Sequence, residues 1–295
     1  MVAARPGRRA VPYVFLAPAI VLFTLLVLVP VGYTVYLSLH RQKVSGSGLG
    51  RGSRTEVFVG LSTYRDALSQ PEFWRGALRV LGYGAILVPT MIGLALLFAL
   101  LLDRPRVRFA RFSRLSIFLP YAVPGVVASV LWGFLYLPAL TPLPVPDGLL
   151  GPGLLFAVVN IGLWGGVGFN TVVILTALRA IPAEIYESAR LDGASERQIA
   201  LRVKTPLVMP ALIMTSIFTV IATLQVYTEP TTLQPLTNSL PSTWTPLMKI
   251  YTDAFVRGDI YSAAAGSIVI AVVTLALSLA FLRVIAKRAF AGEQQ

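Results

Sequence analysis

The chain has 295 residues, of which 56% are hydrophobic and 13% charged, a charged share about half that of an ordinary soluble domain. A net charge of +12 would suggest a nucleic-acid partner for a soluble protein. No basic, aromatic-interleaved stretch outside the apolar segments is long enough to carry one, and basic residues of membrane proteins gather in cytoplasmic loops. The composition therefore predicts an all-α polytopic membrane protein in a lipid bilayer, with no nucleic acid bound.

Residue types exclude much chemistry. There is no cysteine, hence no disulfide, thiolate nucleophile or cysteine metal site. The single histidine, His40, rules out paired-histidine zinc motifs and reads as an interfacial side chain. None of Lys43, Lys204, Lys249 and Lys287 follows a glycine, so no phosphate-cradling loop of the G-x-x-x-x-G-K type can be built. The chain is expected to hold no metal, no catalytic residue and no cofactor.

In chain order, a tail over 1–10 precedes a transmembrane domain over 11–290, and a second tail covers 291–295. About 20 apolar residues are needed to cross the hydrocarbon. Stretches of that kind run from about Val11 to Leu39, Trp74 to Leu102, Leu115 to Leu137, Leu154 to Leu178, Leu207 to Thr228 and Ala263 to Ile285. The first is too long for the apolar region of a signal peptide and reads as an uncleaved span. Pro18, Pro30, Pro89, Pro120, Pro124 and Pro210 fall within or beside these spans, where neighbouring helices can satisfy the freed carbonyls. Each is read either as a kink that shapes a cavity or as a kink alone.

Basic residues set the orientation. Arg5, Arg8 and Arg9 precede the first span, and Arg104, Arg106, Arg108, Arg111 and Arg114 follow the second. Arg179, Arg190, Arg197, Arg202 and Lys204 follow the fourth, and Arg283, Lys287 and Arg288 close the sixth. The loop after the third span has none, and that after the fifth has only Lys249 and Arg257. Both termini are therefore expected in the cytoplasm. The loop from His40 to Phe73 runs against this pattern, with Arg41, Lys43, Arg51, Arg54 and Arg65; its Gly/Ser-rich part suggests a flexible connection.

Between the fourth and fifth spans lies EIYESARLDGASERQIALRVKTP, Glu184 to Pro206. Pro182 suits a first helical position, and Glu184 and Glu187 sit where the helix dipole favours negative charge. Ile185, Ala189 and Asp192 follow at helical spacing, and Gly193 is placed for a left-handed cap. Ser195-x-x-Gln198 fits a capping box before Ile199. Neither helix is long enough to be stable alone in water, so each must dock. Ile185, Ala189, Ile199 and Val203 could meet the bundle, while the small residues Ala189, Gly193 and Ala194 allow close approach by a partner. From the residues alone, a docking element and a plain connection fit equally well.

This segment resembles the signature of ABC importer permeases, E-A-A-x3-G-x9-I-x-L-P. Here Glu187-Ser188-Ala189, Gly193 and Val203-Lys204-Thr205-Pro206 keep the spacing, with Ser188, Val203 and Thr205 as size-conserving departures. Leu191 to Ser195, LDGAS, is similar to the form usual in the carbohydrate-uptake branch. LAPAIVLFTLLVLVPVGYTVYLSL, Phe58 to Val80, and Leu119 to Tyr136 resemble that branch's first span, its outer segment leading into the second span, and its third span.

The resemblance implies a coupling loop over 181–206. Glu184, Glu187, Ala189, Asp192, Gly193, Ala194 and Ser195 would seat it in a groove of an ATPase subunit. It further implies ATP and Mg in a partner ATPase dimer, a second permease that is a different chain, an extracytoplasmic solute-binding protein, and a place in a bacterial or archaeal inner membrane. Transport by alternating access of a sugar or related polyol, such as a disaccharide or glycerol phosphate, follows as the expected function.

Polar side chains within spans are costly and face a cavity or another helix. Asn160 and Trp164 lie four apart on the fourth span with Asn170 to one side, and Gln225, Tyr227 and Glu229 close the fifth. Amide, carboxylate and ring suit a sugar; interhelical hydrogen bonds account for the same residues. An intramembrane enzyme would need clustered nucleophiles or paired carboxylates, and Asp103, Asp147, Asp192, Asp253 and Asp259 are scattered. A self-sufficient secondary transporter would bury ionisable groups mid-span, and none stands out there.

Overall fold

A computed structural model describes residues 11–45, 53–104, 110–137 and 150–290. The two terminal tails, the Gly/Ser-rich stretch over 46–52, Arg106 and Arg108, and the basic-free connection over 138–149 lie outside these residues. The chain divides into two compact units, Met1–Pro71 with Ile250–Ala271, and Glu72–Lys249 with Val272–Gln295.

In the first unit, α1 (Val11–Phe23) runs through a π-helical turn (Thr24–Leu28) into α2 (Val29–Ser38). The turn lies just before Pro30, whose missing N–H removes one rung of the ordinary ladder. The span Tyr13–Ser38 is apolar on every side, with a mean hydropathy of 2.8 and none of its most apolar window buried, as suits a helix solvated by lipid. Strands β1 (His40–Ser45) and β2 (Ser53–Phe58) then pair antiparallel, His40 opposite Phe58 and Ser45 opposite Ser53. The strands flank the Gly/Ser-rich part expected to be flexible, which lies outside the described residues. His40 is fixed at its base, stacked on Tyr36 at 4.0 Å and edge-on to Phe58. Helix α3 (Ser62–Ser69) follows. Arg41 pairs with its Asp66, and Tyr64 shares a 2.6 Å hydrogen bond with the buried Ser38.

The second unit is built on two long helices, α4 (Pro71–Leu102) and α7 (Leu154–Arg179). Helix α4 buries one stripe at helical spacing, Phe73, Gly76, Val80, Tyr83, Leu87, Met91, Ala95, Ala99 and Leu102. One core cluster joins this stripe to Ala157, Val158 and Ile161 of α7 and to Leu233, Leu240 and Trp244. A second joins Ala95, Ala99 and Leu102 to Ile174, Leu175, Leu178, Val208 and Leu212. Small residues on α7 permit the close packing: a Cβ at Gly168 would come within 2.1 Å of the Ile117 carbonyl oxygen.

Among the described residues four helices are long and apolar enough to cross a membrane, Tyr13–Ser38, Pro71–Leu102, Leu154–Arg179 and Ile260–Ala280, and the number rises to six if each of two bent pairs is one span. The third and fifth spans each contain a sharp break, beside Pro124 and Pro210, two of the prolines read as kinks. In the third, α5 (Ala110–Phe118) and a 3-10 turn (Leu119–Ala122) meet α6 (Gly125–Leu135) at 97°. Pro124 forces the break, because the residue before a proline is driven out of the helical region, and Val123 sits at ψ 127.

In the fifth, α8 (Ala183–Leu191), α9 (Glu196–Gln198), a π turn (Ile199–Lys204) and α10 (Thr205–Leu207) precede a 67° bend at Val208. Helix α11 (Met209–Leu224) carries the apolar part alone, with Pro210 in its first turn. Then come α12 (Thr228–Leu233), α13 (Pro246–Tyr251) and α14 (Ile260–Phe290).

Candidate functional site

The segment over 181–206 is two short helices joined by a turn in which each backbone N–H from Asp192 to Ser195 is paired. Pro182 is the N-cap of α8 rather than its first helical residue, with extended ψ 139, one position from the sequence expectation. Glu184 lies in the first turn as expected. At the other end Ala194 N–H donates to the Ala189 carbonyl and Gly193 N–H to that of Arg190, each at 3.0 Å. These are the paired bonds of a Schellman cap. The left-handed residue the cap requires is Gly193, at φ +78.

Two residues on, the next helix starts with a complete capping box. Ser195 N–H donates to Gln198 Oε1 at 2.8 Å, and Gln198 N–H to Ser195 Oγ at 3.4 Å. Arg190 Nε donates to Glu196 Oε1 at 2.8 Å across the turn, and that bond holds the Glu196 carboxyl below its ordinary value.

Burial is uneven. Ile199 is fully buried and Val203 partly so, but Ile185 is exposed and α8 has no buried residue. Leu191, at the tip, is 89% exposed. Glu184, Glu187, Asp192, Gly193 and Ser195 all face outward, and Ala189 and Ala194 are half-buried. The outer surface is thus a preshaped, exposed ridge.

Its inner side is pinned. Lys204 Nζ lies 2.5 Å from Asp103 Oδ2, with both side chains nearly buried, and 4.5 Å from the centre of the Tyr186 ring. Tyr186 donates to the Leu178 carbonyl at 3.3 Å, and burial raises its phenol above the ordinary value. One ammonium thereby ties both halves of the segment to the ends of α4 and α7. The sequence marked Lys204 and Asp103 only as loop charges, because nothing at a separation of 101 positions signals a pair.

A cavity of about 330 Å³ opens within the second unit, in the size range of small-ligand sites. Of the polar residues singled out in the sequence, Asn170, Gln225, Tyr227 and Glu229 line it. Asn160 and Trp164 are not among its lining residues. Asn160 donates to Tyr136 at 2.9 Å, Tyr136 in turn donates to the Ala157 carbonyl, and Trp164 packs edge-on to Trp132; both hold α6 against α7.

The sequence reading missed Tyr83, Tyr121 and Phe169, as well as Thr219 and Thr223. The threonines were visible as a repeat of four with Thr215. Tyr121 stacks on Phe169 at 4.9 Å, a pairing no local pattern announces. Burial raises the Glu229 carboxyl above its ordinary value. Among the described residues no cluster of His, Cys, Asp and Glu could hold a metal.

Four to six apolar spans among the described residues, with a capped helical ridge between the fourth and fifth, define an all-α multi-pass membrane protein. Residues 91–290 match the family described as binding-protein-dependent transport system inner membrane component, and the chain belongs to that family. It is a membrane-spanning transport subunit rather than an enzyme.

It is 28% identical to the sn-glycerol-3-phosphate transport system permease protein UgpA of Agrobacterium fabrum, over 96% of this chain and 97% of that one. It is also 28% identical to the trehalose/maltose transport system permease protein MalF of Thermococcus litoralis, over 92% of each. A chain from the crystal structure of a bacterial ABC transporter involved in the import of the acidic polysaccharide alginate superposes with a TM-score of 0.78 at 19% identity, covering 95% of this chain and 96% of that one. That likeness speaks to the fold.

Proposed function

We propose that the chain is half of the translocation pathway of an ATP-driven importer for a sugar or related polyol, working by alternating access. The 181–206 segment is its coupling element. Glu184, Glu187, Asp192 and the Gly193–Ser195 turn present the outer ridge to a groove on one subunit of an ATPase dimer. ATP and Mg are held by that dimer and not by this chain. Closure of the dimer on ATP moves the ridge, and the Lys204 anchor passes the motion to α4 and α7.

A second permease chain completes the pathway, and an extracytoplasmic solute-binding protein delivers cargo. Both termini and the ridge lie in the cytoplasm of a bacterial or archaeal cell, as the basic residues around the ridge favour. Asn170, Gln225, Tyr227 and Glu229 are the candidate solute contacts.

The observation that carries this reading is the ridge itself. It is capped at the turn by its own backbone, anchored beneath by a nearly buried ion pair, and left with exposed Leu191 at its tip. A plain connection has no need of such rigidity. Mild solubilisation and copurification of the complex test the reading: an ATP-binding subunit is expected to come with this chain. Isolation of the chain in active form without one would overturn it.

A further inference from the structure

We infer that the cavity between α4, α7 and α11 admits an uncharged polyhydroxylated solute and rejects anionic ones such as phosphate esters and uronates. The inference rests on the proposed reading of that cavity as part of the solute path. Among the described residues lining it none is Lys, Arg or His, and one, Glu229, is a carboxylate.

Three of its other polar groups donate to the protein. The Thr219 hydroxyl donates to the Thr215 carbonyl at 2.8 Å, and that of Thr223 to the Thr219 carbonyl at 2.7 Å. An Asn170 amide N–H donates to the Gly166 carbonyl at 2.9 Å. What the two threonine hydroxyls retain toward the cavity is acceptor capacity, and Asn170 keeps its carbonyl oxygen and one amide N–H. A sugar hydroxyl, which can donate, satisfies such a wall, and the stacked Tyr121 and Phe169 rings offer a face to its C–H surface. An anion has only acceptors and meets none of the cations that recognise phosphate or carboxylate elsewhere. Burial favours the neutral form of Glu229, and in neither protonation state does it supply positive charge. On this reading the chain differs in cargo charge from relatives named for sn-glycerol 3-phosphate.

Because the chain has no cysteine, the field in the cavity can be read with a single introduced thiol. Gln225→Cys is placed in the full importer in membrane vesicles. It is treated with methanethiosulfonates bearing a neutral hydroxyethyl, a cationic trimethylammonioethyl or an anionic sulfonatoethyl group. Labelling is read as the intact mass of this chain, and each rate is divided by that with a free thiol in solution. The normalised anionic rate is expected to fall at least about tenfold below the neutral one, and Glu229→Lys in the same background to reverse the order. Equal normalised rates for the anionic and neutral reagents would overturn the charge selectivity while leaving the solute path standing. Failure of all three to react would overturn the solute path itself, and the inference with it.

Discussion

Lys204 and Asp103, 101 positions apart, form a 2.5 Å ion pair with side chains only 12% and 11% exposed. The segment after the fourth span is thereby fastened to the end of the second. Tyr186 closes the arrangement, its ring under the same ammonium, so the helix that carries the outer ridge cannot shift without straining the anchor.

Removing one partner leaves the other charge short of water and unpaired. Asp103→Asn and Lys204→Met are each expected to destabilise the chain by about 2–3 kcal/mol, somewhat below a fully buried pair. The drop in midpoint on thermal unfolding in detergent measures it. The double exchange Asp103→Lys with Lys204→Asp should recover part of the loss. If the double variant is as unstable as the sum of Asp103→Lys and Lys204→Asp measured singly, the pair has no coupling energy and the anchor is not one.

The turn at Gly193 needs a residue at φ +78 with space around it; no atom lies within 4 Å of a Cβ built there. Gly193→Ala therefore suffers from conformation alone, by about 1–2 kcal/mol. Gly193→Pro is incompatible with that φ and also removes the N–H that closes the Schellman cap. Membrane insertion should survive both, with solute uptake reduced in the first and abolished in the second. Full uptake by Gly193→Pro would show that the turn geometry does not matter.

Ser195→Ala removes the hydroxyl half of the capping box, worth about 1 kcal/mol. The effect should appear as faster amide exchange over Glu196–Gln198, with the remainder of the bundle unchanged. Ser195→Asp, which keeps an acceptor at the cap, is expected to restore protection.

Glycines on α7 separate packing from space. A Cβ at Gly168 meets backbone, the Ile117 carbonyl at 2.1 Å, whereas one at Gly166 meets the flexible end of Met91 at 2.6 Å. Gly168→Ala should cost about 2–3 kcal/mol by overpacking, and Gly166→Ala little, because the methionine can swing aside. Equal unfolding midpoints for the two variants would contradict the close approach of α7 to the third span.

Much of this was legible in the sequence where one local rule acted alone. Hydropathy located every span, and Asp192-Gly193-Ala194-Ser195 announced a glycine cap followed by a capping box because both are set within a few residues. Three things were not legible. Prolines marked the places of the breaks at Val123 and Val208, but their angles of 97° and 67° depend on how neighbours accommodate them, which span hydropathy averages away. The hairpin over His40–Phe58 rests on cross-strand pairing between segments with weak alternation and many charges. The cavity draws on α4, α7, α11 and α12, so Tyr83 and Phe169 face it only once the helices have packed. Asn160 reads on paper as well as Asn170, and the contact with Tyr136 alone distinguishes them.

The central claim is that the exposed ridge receives force from a separate ATP-consuming subunit. Leu191, at its tip and 89% exposed, is the place to ask. A photo-crosslinking phenylalanine derivative at position 191, in cells producing the whole importer, should trap an ATP-binding subunit identifiable by mass spectrometry, and Gly193→Pro should abolish the adduct. Adducts to lipid or to this chain alone, from an importer that still takes up solute, would contradict the account.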